Sequence, residues 1–250
     1  MHRLRSAVVV AITAAVVLTT VPAHAAEPFG STPCPGVRPG ALMEAPPGIQ
    51  YTMGLLFKGT DAQGKVANYI TTVANYVFTT FGSKTWKAGT GPDARDALGK
   101  KFGKFVYASH TDTPAYTSFG LILVDKTAKP NAQVCHFGGP TGVYQGTDVT
   151  PFSVQYYGQG TPASEASPAR TGLVSGSANE QGAYLQGIWG PGDEGGPVLV
   201  DGKVLGYLDG GIGGGATSGA GLVVSRIDQW IAKAQKALKI KLKLATAAPL

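Results

Sequence analysis

One glycine-rich turn constrains the folding of this 250-residue chain more than any other stretch. Residues 190–197 read Gly-Pro-Gly-Asp-Glu-Gly-Gly-Pro, and the apolar run Val198-Leu199-Val200 follows at once. Glycines on both sides of the acidic pair allow backbone conformations that residues with a Cβ resist, and the apolar run is typical of a buried strand. The pattern predicts a tight turn that presents its middle residue, Glu194. An ordinary glycine-rich hairpin is the alternative.

The turn resembles the Gly-Asp-Ser-Gly-Gly-Pro signature of the chymotrypsin-like (trypsin-family) serine proteases, with Glu194 in place of the nucleophilic serine. The resemblance implies that the backbone N–H groups of Gly192 and Glu194 form the oxyanion hole. A carboxylate has no hydroxyl proton for a base to remove, so it cannot act as the activated serine. At about 4 Å it would also repel an oxyanion by roughly 4 kcal/mol, which is as much as one hydrogen-bond donor of the hole supplies.

Two weaker similarities place the other members of the catalytic triad. The run Thr-Val-Ala-Asn-Tyr at 72–76 is similar to the family's Thr-Ala-Gly-His-Cys, which puts Asn75 at the position of the catalytic base. A register shifted by one residue puts Ala74 there instead. A later apolar segment places Ser118 where the family has the aspartate that orients the histidine. Neither Asn75 nor Ala74 can accept a proton at neutral pH, so the resemblance implies that all three triad positions, including Glu194, are replaced.

The N-terminus has the organisation of a secretory signal peptide. Two arginines, Arg3 and Arg5, precede an apolar run from Ala7 to about Val21, and Ala23-His24-Ala25 supplies a small-residue cleavage site. The apolar run is too short to cross a membrane comfortably. We therefore expect residues 1–25 to be removed and the mature protein to be secreted, with a retained anchor as the alternative.

Two histidines follow the predicted leader, and we interpret both as structural. His110 precedes the strand that carries Ser118, and His136 lies in a glycine-rich turn; neither has the spacing of a zinc site. We predict no metal and no cofactor. The alternative function is an active secreted serine endopeptidase or another hydrolase. Either one of these histidines would serve a displaced triad, or Glu194 would pair with a second carboxylate about 5–9 Å away, as in glycosidases.

The chain has two cysteines, Cys34 and Cys135, and a secreted protein allows them to pair. A bridge between them would close a loop of about 100 residues and contribute up to roughly 4 to 5 kcal/mol in the chain-entropy model. Two free thiols are the alternative.

Short apolar runs separated by glycine, proline and serine predict an all-β chain. The resemblance implies one trypsin-like domain over 26–250. This domain would contain two packed six-stranded antiparallel barrels, roughly 26–145 and 146–224, and a C-terminal helix over 225–243.

Local patterns refine this expectation at two places. Ser225, with Asp228 three residues later, predicts an N-cap for the C-terminal helix. Residues 82–104 are rich in glycine and lysine and predict a surface loop with a short turn at 93–96.

The same alignment places Ile188 at the floor of a specificity pocket with Trp189 beside it, so the pocket would be apolar. The formal charge of +6 falls to +4 without the two leader arginines, which does not by itself indicate nucleic acid. Five lysines near the C-terminus indicate either a solvated face or weak contact with a polyanion: Lys233, Lys236, Lys239, Lys241 and Lys243. We expect a monomer without stable membrane insertion or a nucleic-acid partner. The sequence as a whole predicts a secreted pseudoprotease that binds peptide or protein.

Overall fold

The computed structural model describes residues 36–45, 48–111, 117–135, 140–145, 152–158, 169–179, 182–187, 189–190, 192–212 and 221–247. Four sequence-based predictions concern residues outside these ranges, namely the leader 1–25, Cys34, His136 and Ile188. Within the described part, no helix combines the length and the apolar character that crossing a bilayer requires.

The elements are mainly strands. In chain order they are β1 (Leu42–Glu44), β2 (Gln50–Thr52), β3 (Leu56–Thr60), β4 (Val66–Thr72), α1 (Asn75–Phe81), β5 (Lys84–Thr85), β6 (Asp93–Asp96), β7 (Lys101–Thr111), β8 (Thr117–Val124), β9 (Gly142–Val143), β10 (Phe152–Tyr157), β11 (Ala169–Asn179), β12 (Gly182–Gln186), β13 (Pro197–Val200), β14 (Lys203–Ile212), β15 (Gly221–Arg226), α2 (Ile227–Leu238) and β16 (Lys241–Leu244).

As predicted, the strands form two barrel-like sheets that are mainly antiparallel, but only the second has the predicted six-stranded barrel. The first has nine strands in the order β16-β3-β4-β8-β7-β6-β1-β2, with β5 paired to β7. In the second, β13 pairs with both β10 and β14, which closes β13-β10-β11-β12-β15-β14 into a six-stranded barrel without a free edge. The short strand β9 joins this sheet in parallel with β14.

The core of the first sheet continues into the C-terminal helix. Phe119 of β8 stacks on Trp230 of α2 with ring centroids 5.8 Å apart, and it also contacts Tyr207 of β14 at 6.1 Å. All three rings are fully buried. This aromatic group ties the two sheets together, because its members come from the first sheet, the second sheet and the helix.

The predicted cap and length of the C-terminal helix are wrong. The N-cap residue is Arg226, which makes no side-chain capping bond, because the Ser225 hydroxyl donates to a buried carboxylate instead. The helix ends at Leu238 rather than at residue 243, and Lys239 adopts a left-handed conformation with φ of 55°. The following Lys-Leu-Lys-Leu alternates with the period of a strand, and it pairs with β3 as β16.

The region 82–104 is more ordered than the sequence predicted. The predicted turn at 93–96 is β6, which pairs with both β7 and β1. Ala94 is buried there, and Asp93 forms ion pairs with Lys101 and Lys104 of β7 at 3.5 and 2.6 Å. Period-2 alternation over only four residues was too short to reveal this strand from the sequence.

Candidate functional site

The glycine-rich turn requires its glycines. Gly192 and Gly195 have φ of 98° and 94°, a region that favours glycine. A Cβ at Gly195 would collide with the backbone oxygen of Thr52, and one at Gly196 with that of Tyr157. The turn therefore presses against backbone from both sheets.

Four hydrogen bonds fix the turn between the sheets. From β2, the Thr52 N–H donates to the Glu194 oxygen at 2.8 Å, and the Thr52 hydroxyl donates to the Gly192 oxygen at 2.7 Å. From β14, Leu208 accepts from the Gly195 N–H at 2.7 Å and donates to the Gly196 oxygen at 2.8 Å. Residue 194 consequently lies at the junction of the two sheets.

A buried ion pair holds the turn from the second barrel. Both oxygens of Asp193, whose exposed fraction is 1%, accept from the Arg170 guanidinium, at 2.6 and 3.2 Å. The Gly190 N–H also donates to the Asp193 carboxylate, at 2.7 Å. Because Asp193 already bonds to Arg170 and to the turn backbone, it is unsuited to form a glycosidase-like carboxylate pair with Glu194.

The Glu194 side chain folds back onto the turn. Its Oε2 accepts from the Gly192 N–H at 2.6 Å, and the Glu194 backbone N–H also bonds to its carboxylate. Burial raises the pKa of this carboxyl above its usual range; the two N–H groups oppose the shift, and the charge of Asp193 adds to it. The sequence led us to expect repulsion of an oxyanion. In the structure the carboxylate itself occupies both of the predicted oxyanion-hole donors.

The predicted base and acid positions lie next to each other. Asn75 is the first residue of α1, and its Nδ2 donates to the Asp209 backbone oxygen at 3.5 Å. Its Oδ1 is buried and has no hydrogen-bond partner within the described part of the chain. The preceding Ala74 N–H donates to the Ser118 hydroxyl at 3.1 Å. The assignment of Asn75 and Ser118 to the triad positions stays a prediction.

A carboxylate that the sequence analysis missed lies in this group. Asp209 of β14 has an exposed fraction of 2%, and it accepts from the Ser118 hydroxyl at 2.8 Å. The Ser118 N–H and the Ser225 hydroxyl donate to its other oxygen. The Asp209 pKa is raised to about 7, mainly by burial and in smaller part by the charge of Glu194, against the lowering effect of these bonds. The available signal was one aspartate inside the otherwise apolar and glycine-rich run at 204–211.

The chain therefore has an acid beside the predicted triad positions, on β14, which reaches Ser118 from the other sheet. Ser118 and Asp209 are hydrogen-bonded across the junction, so a carboxylate approaches the predicted base position from β14 rather than from β8. The resemblance points only to the position on β8, so it gives no signal for Asp209.

The described histidine, His110, lies on β7 directly opposite Ser118 in the strand register. The described donors to the Asp209 carboxylate are Ser118 and Ser225, and no imidazole is among them. Ser118 itself is fully buried, which keeps its hydroxyl away from any substrate.

Other predicted site residues are only partly covered by the structure. Trp189 is half-buried against the core of the second barrel, and its Nε1 has no hydrogen-bond partner among the described residues. Cys135 is buried. Because Cys34 lies outside the described ranges, the disulfide stays a prediction. The described residues contain no group of three His, Cys, Asp or Glu side chains placed to hold a metal ion, and the predicted lack of a metal and a cofactor also stays a prediction.

No protein-family model and no curated protein matches this chain in sequence. Solved structures do match its fold. Protease A of Thermobifida fusca has a TM-score of 0.57 at 14% identity, with 84% of this chain and 99% of that one covered. Nocardiopsis protease has a TM-score of 0.55 at 13% identity, covering 83% and 98%. Cellulomonas bogoriensis chymotrypsin has a TM-score of 0.54 at 15% identity, covering 84% and 99%. The two barrels, the turn between them and the C-terminal helix therefore form the fold of the bacterial chymotrypsin-like serine proteases.

Proposed function

We propose that the protein is a secreted, non-catalytic pseudoprotease that binds a peptide or a protein. The observation that carries this proposal is the Glu194 carboxylate bonded to the Gly192 N–H, at the place where a working protease of this fold would stabilise its oxyanion. The Glu194 side chain lacks the hydroxyl of a nucleophile, and its carboxylate occupies the N–H donors that would stabilise an oxyanion.

The residues around the turn support the absence of catalysis. Asn75 offers an amide, which is not a base at neutral pH. The Asp209 carboxylate already accepts hydrogen bonds from the hydroxyls of two serines, Ser118 and Ser225. Because Ser118 has an exposed fraction of 0%, its hydroxyl cannot replace the missing nucleophile.

An aromatic pair beside the site supports ligand binding. Tyr76, next to Asn75, is 49% exposed, and its ring meets that of Tyr51 edge-on at 6.5 Å. The Tyr76 N–H donates to the Tyr51 hydroxyl at 3.4 Å, which fixes this arrangement. Tyr51 is buried, so Tyr76 is the exposed member of the pair, and a partly exposed tyrosine held in place is a typical anchor for a peptide or protein ligand.

Labelling with a fluorophosphonate tests the absence of catalysis. We expect the purified mature protein to form no adduct under conditions in which an active chymotrypsin-like protease is labelled completely. A stoichiometric adduct on a serine would instead establish the alternative, an active serine endopeptidase. The mass of the secreted protein tests the leader, because removal of residues 1–25 predicts an N-terminus at Ala26.

The Glu194→Ala variant tests binding at the turn. Removing the carboxylate frees two N–H donors for a ligand carbonyl, and one hydrogen bond contributes about 0.5–1.5 kcal/mol. For a peptide selected from a displayed random library, calorimetry should give an affinity about 2- to 10-fold higher for Glu194→Ala than for the unaltered protein. Glu194→Gln is the matched control, since its amide oxygen can still fill the hole, and it should bind like the unaltered protein. Equal affinities for all three proteins would place the ligand elsewhere, and a failure to select any peptide would contradict the binding function.

A further inference from the structure

We propose that Lys58, Lys241 and Lys243 form a docking surface for a linear polyanion that carries sulfate or phosphate groups along its length. We call these residues the lysine face. This surface is independent of the proposed peptide site at Glu194, and its test can fail while that site stands.

The strand register places these three side chains together. Lys243 of β16 lies directly opposite Lys58 of β3, and Lys241 lies opposite Thr60. Side chains of directly paired residues project from the same side of a sheet, about 5 Å apart at Cβ. Residues two apart on one strand also share a side and lie roughly 7 Å apart. Lys58, Lys241 and Lys243 are all exposed, so they form one cluster of ammonium groups on the outer side of the first sheet.

None of the three lysines forms an ion pair with a carboxylate within the described residues. The acidic residue of the same hairpin, Asp61, turns its Oδ1 onto the backbone N–H groups of Gln63 and Lys65, at 3.0 and 2.9 Å. The charge of the lysine face is therefore left for an external anion.

Like charges directly opposite each other destabilise a pair of strands. Lysine on an exposed edge strand has a separate use, because it prevents pairing with other chains, and that use accounts for Lys241 and Lys243 on β16. It does not account for Lys58. That residue is on β3, which is covered on both sides by β16 and β4. The opposition of Lys58 and Lys243 has no structural benefit of this kind, which points to a ligand.

The strand that carries two of these lysines is held firmly. The Leu242 N–H donates to the Gln235 side-chain oxygen of α2 at 2.7 Å, and the Ala245 N–H donates to the Leu56 oxygen at 2.8 Å. Leu242 and Leu244 pack against the core on the inner side. A fixed strand presents the lysines without the loss of backbone freedom that a mobile tail would suffer on binding.

The structure changes the set of lysines that the sequence indicated. Lys233 lies over the Trp230 ring, 4.6 Å from its centroid, so the aromatic ring already provides its interaction. Lys236 and Lys239 are exposed at the end of α2, outside the β3–β16 pairing that defines the lysine face. Lys58, which is distant in sequence, joins the group only through the β3–β16 pairing.

The neighbours of the lysine face favour a polymer recognised by charge alone. On the same side of the sheet lie Thr60, Asn68 and Val66, which are the register partners along β3 and β4. Single-stranded nucleic acid is typically bound with aromatic stacking platforms, and membrane surfaces with inserted aromatic or leucine side chains; these positions hold neither. Lysine supplies compact point charges, which suit separate sulfate or phosphate groups along a chain.

Chromatography and titration with heparin test the proposal. The variant Lys58→Gln/Lys241→Gln/Lys243→Gln removes the lysine face. The matched control Lys100→Gln/Lys126→Gln/Lys129→Gln removes the same charge from exposed lysines outside the helices and strands. We expect the unaltered protein and the control to elute at similar salt, and the lysine-face variant to bind heparin on the order of tenfold more weakly at 0.1 M salt. Its slope of log affinity against log salt should fall by about two to three, since roughly one unit is lost with each anion contact.

Equal loss of heparin binding in both variants would attribute binding to net charge and overturn the proposal, and so would unchanged binding in the lysine-face variant. Binding of the unaltered protein to phosphatidylglycerol vesicles but not to heparin would identify a membrane surface instead and also overturn it. Circular dichroism melts check folding. Relief of the Lys58–Lys243 repulsion should keep the midpoint of the lysine-face variant at or slightly above that of the unaltered protein.

Discussion

Replacing Asn75 by His and Glu194 by Ser in the same molecule is expected to create a serine that a fluorophosphonate labels. Glu194→Ser alone empties the hole and supplies a hydroxyl, but no base removes its proton. An imidazole at position 75, beside the β14 strand, would supply the base, and general base catalysis typically contributes about 10²- to 10⁴-fold. The double variant should therefore be labelled about 10²- to 10⁴-fold faster than Glu194→Ser, measured as the rate of adduct formation by mass spectrometry.

Two controls separate this result from its alternatives. Asn75→His alone should remain unlabelled because Glu194 still fills the hole. Ala74→His with Glu194→Ser tests the register shifted by one residue, and we expect it to be no faster than Glu194→Ser. A folded double variant that stays inert would show that residue 75 does not occupy the position of the base.

The same background tests Asp209 as the orienting acid. Asp209→Asn should slow labelling of the double variant, because a neutral amide stabilises an imidazolium less than a carboxylate does. Adding Ser118→Asp should not accelerate it. Two carboxylates would then face each other in the buried junction, and one of them would take up a proton. If Asp209→Asn leaves the rate unchanged, Asp209 is not the acid.

Asp209→Asn in the natural chain is expected to reduce the loss of stability that the protein suffers as pH rises from 4 to above neutral. The Asp209 pKa of about 7 in the folded protein exceeds the ordinary value of 3.8, so the folded state favours the protonated form. The contribution of Asp209 to stability is therefore fully present below about pH 4, is lost as pH rises from about 4 to 7, and stays absent above that range. The difference in pKa corresponds to about 4 kcal/mol, because one pKa unit equals 1.36 kcal/mol.

The measurement is chemical denaturation of the two proteins at pH 4 and pH 8. An asparagine cannot accept all three of the hydrogen bonds that reach Asp209, so the comparison is of the change between the two pH values. From pH 4 to pH 8 the unaltered protein should lose on the order of 4 kcal/mol more of its free energy of unfolding than Asp209→Asn loses. Asp201→Asn, at an exposed turn, is the control for the removal of one carboxylate. Equal effects of Asp209→Asn at both pH values would contradict a raised pKa.

The sequence predicted the parts of the molecule that depend on local patterns. Glycines and an apolar run were enough for the turn at Glu194, and alternation with turn residues was enough for the class of fold. Asp209 could not be assigned, because its meaning depends on Ser118, which lies 91 residues away in sequence and meets it only at the junction of the two sheets. The occupation of the hole likewise depends on the rotamer of one side chain, and the sequence fixes only that a carboxylate is present.

The errors near the C-terminus have a related cause. Ser225 followed by Asp228 matches a helix cap, but the buried Asp209 carboxylate accepts a hydrogen bond from the same hydroxyl. The bond to Asp209 forms instead of the cap, because a hydrogen bond to a charged group is stronger. The sequence alone predicts a helix that continues to residue 243, because the strand that pairs with Lys241–Leu244 lies far back in the chain.

The pairing of β16 with β3 also determines the order in which the two sheets can form during synthesis. Strands β1 to β8 form the first sheet, the chain then builds the whole second barrel, and only its last described strand returns to cover β3. During synthesis the edge of β3 stays unpaired until the C-terminal residues have left the ribosome. The first sheet therefore cannot be finished as an independent unit, and a nascent chain that stops at α2 exposes an unpaired strand edge to its neighbours.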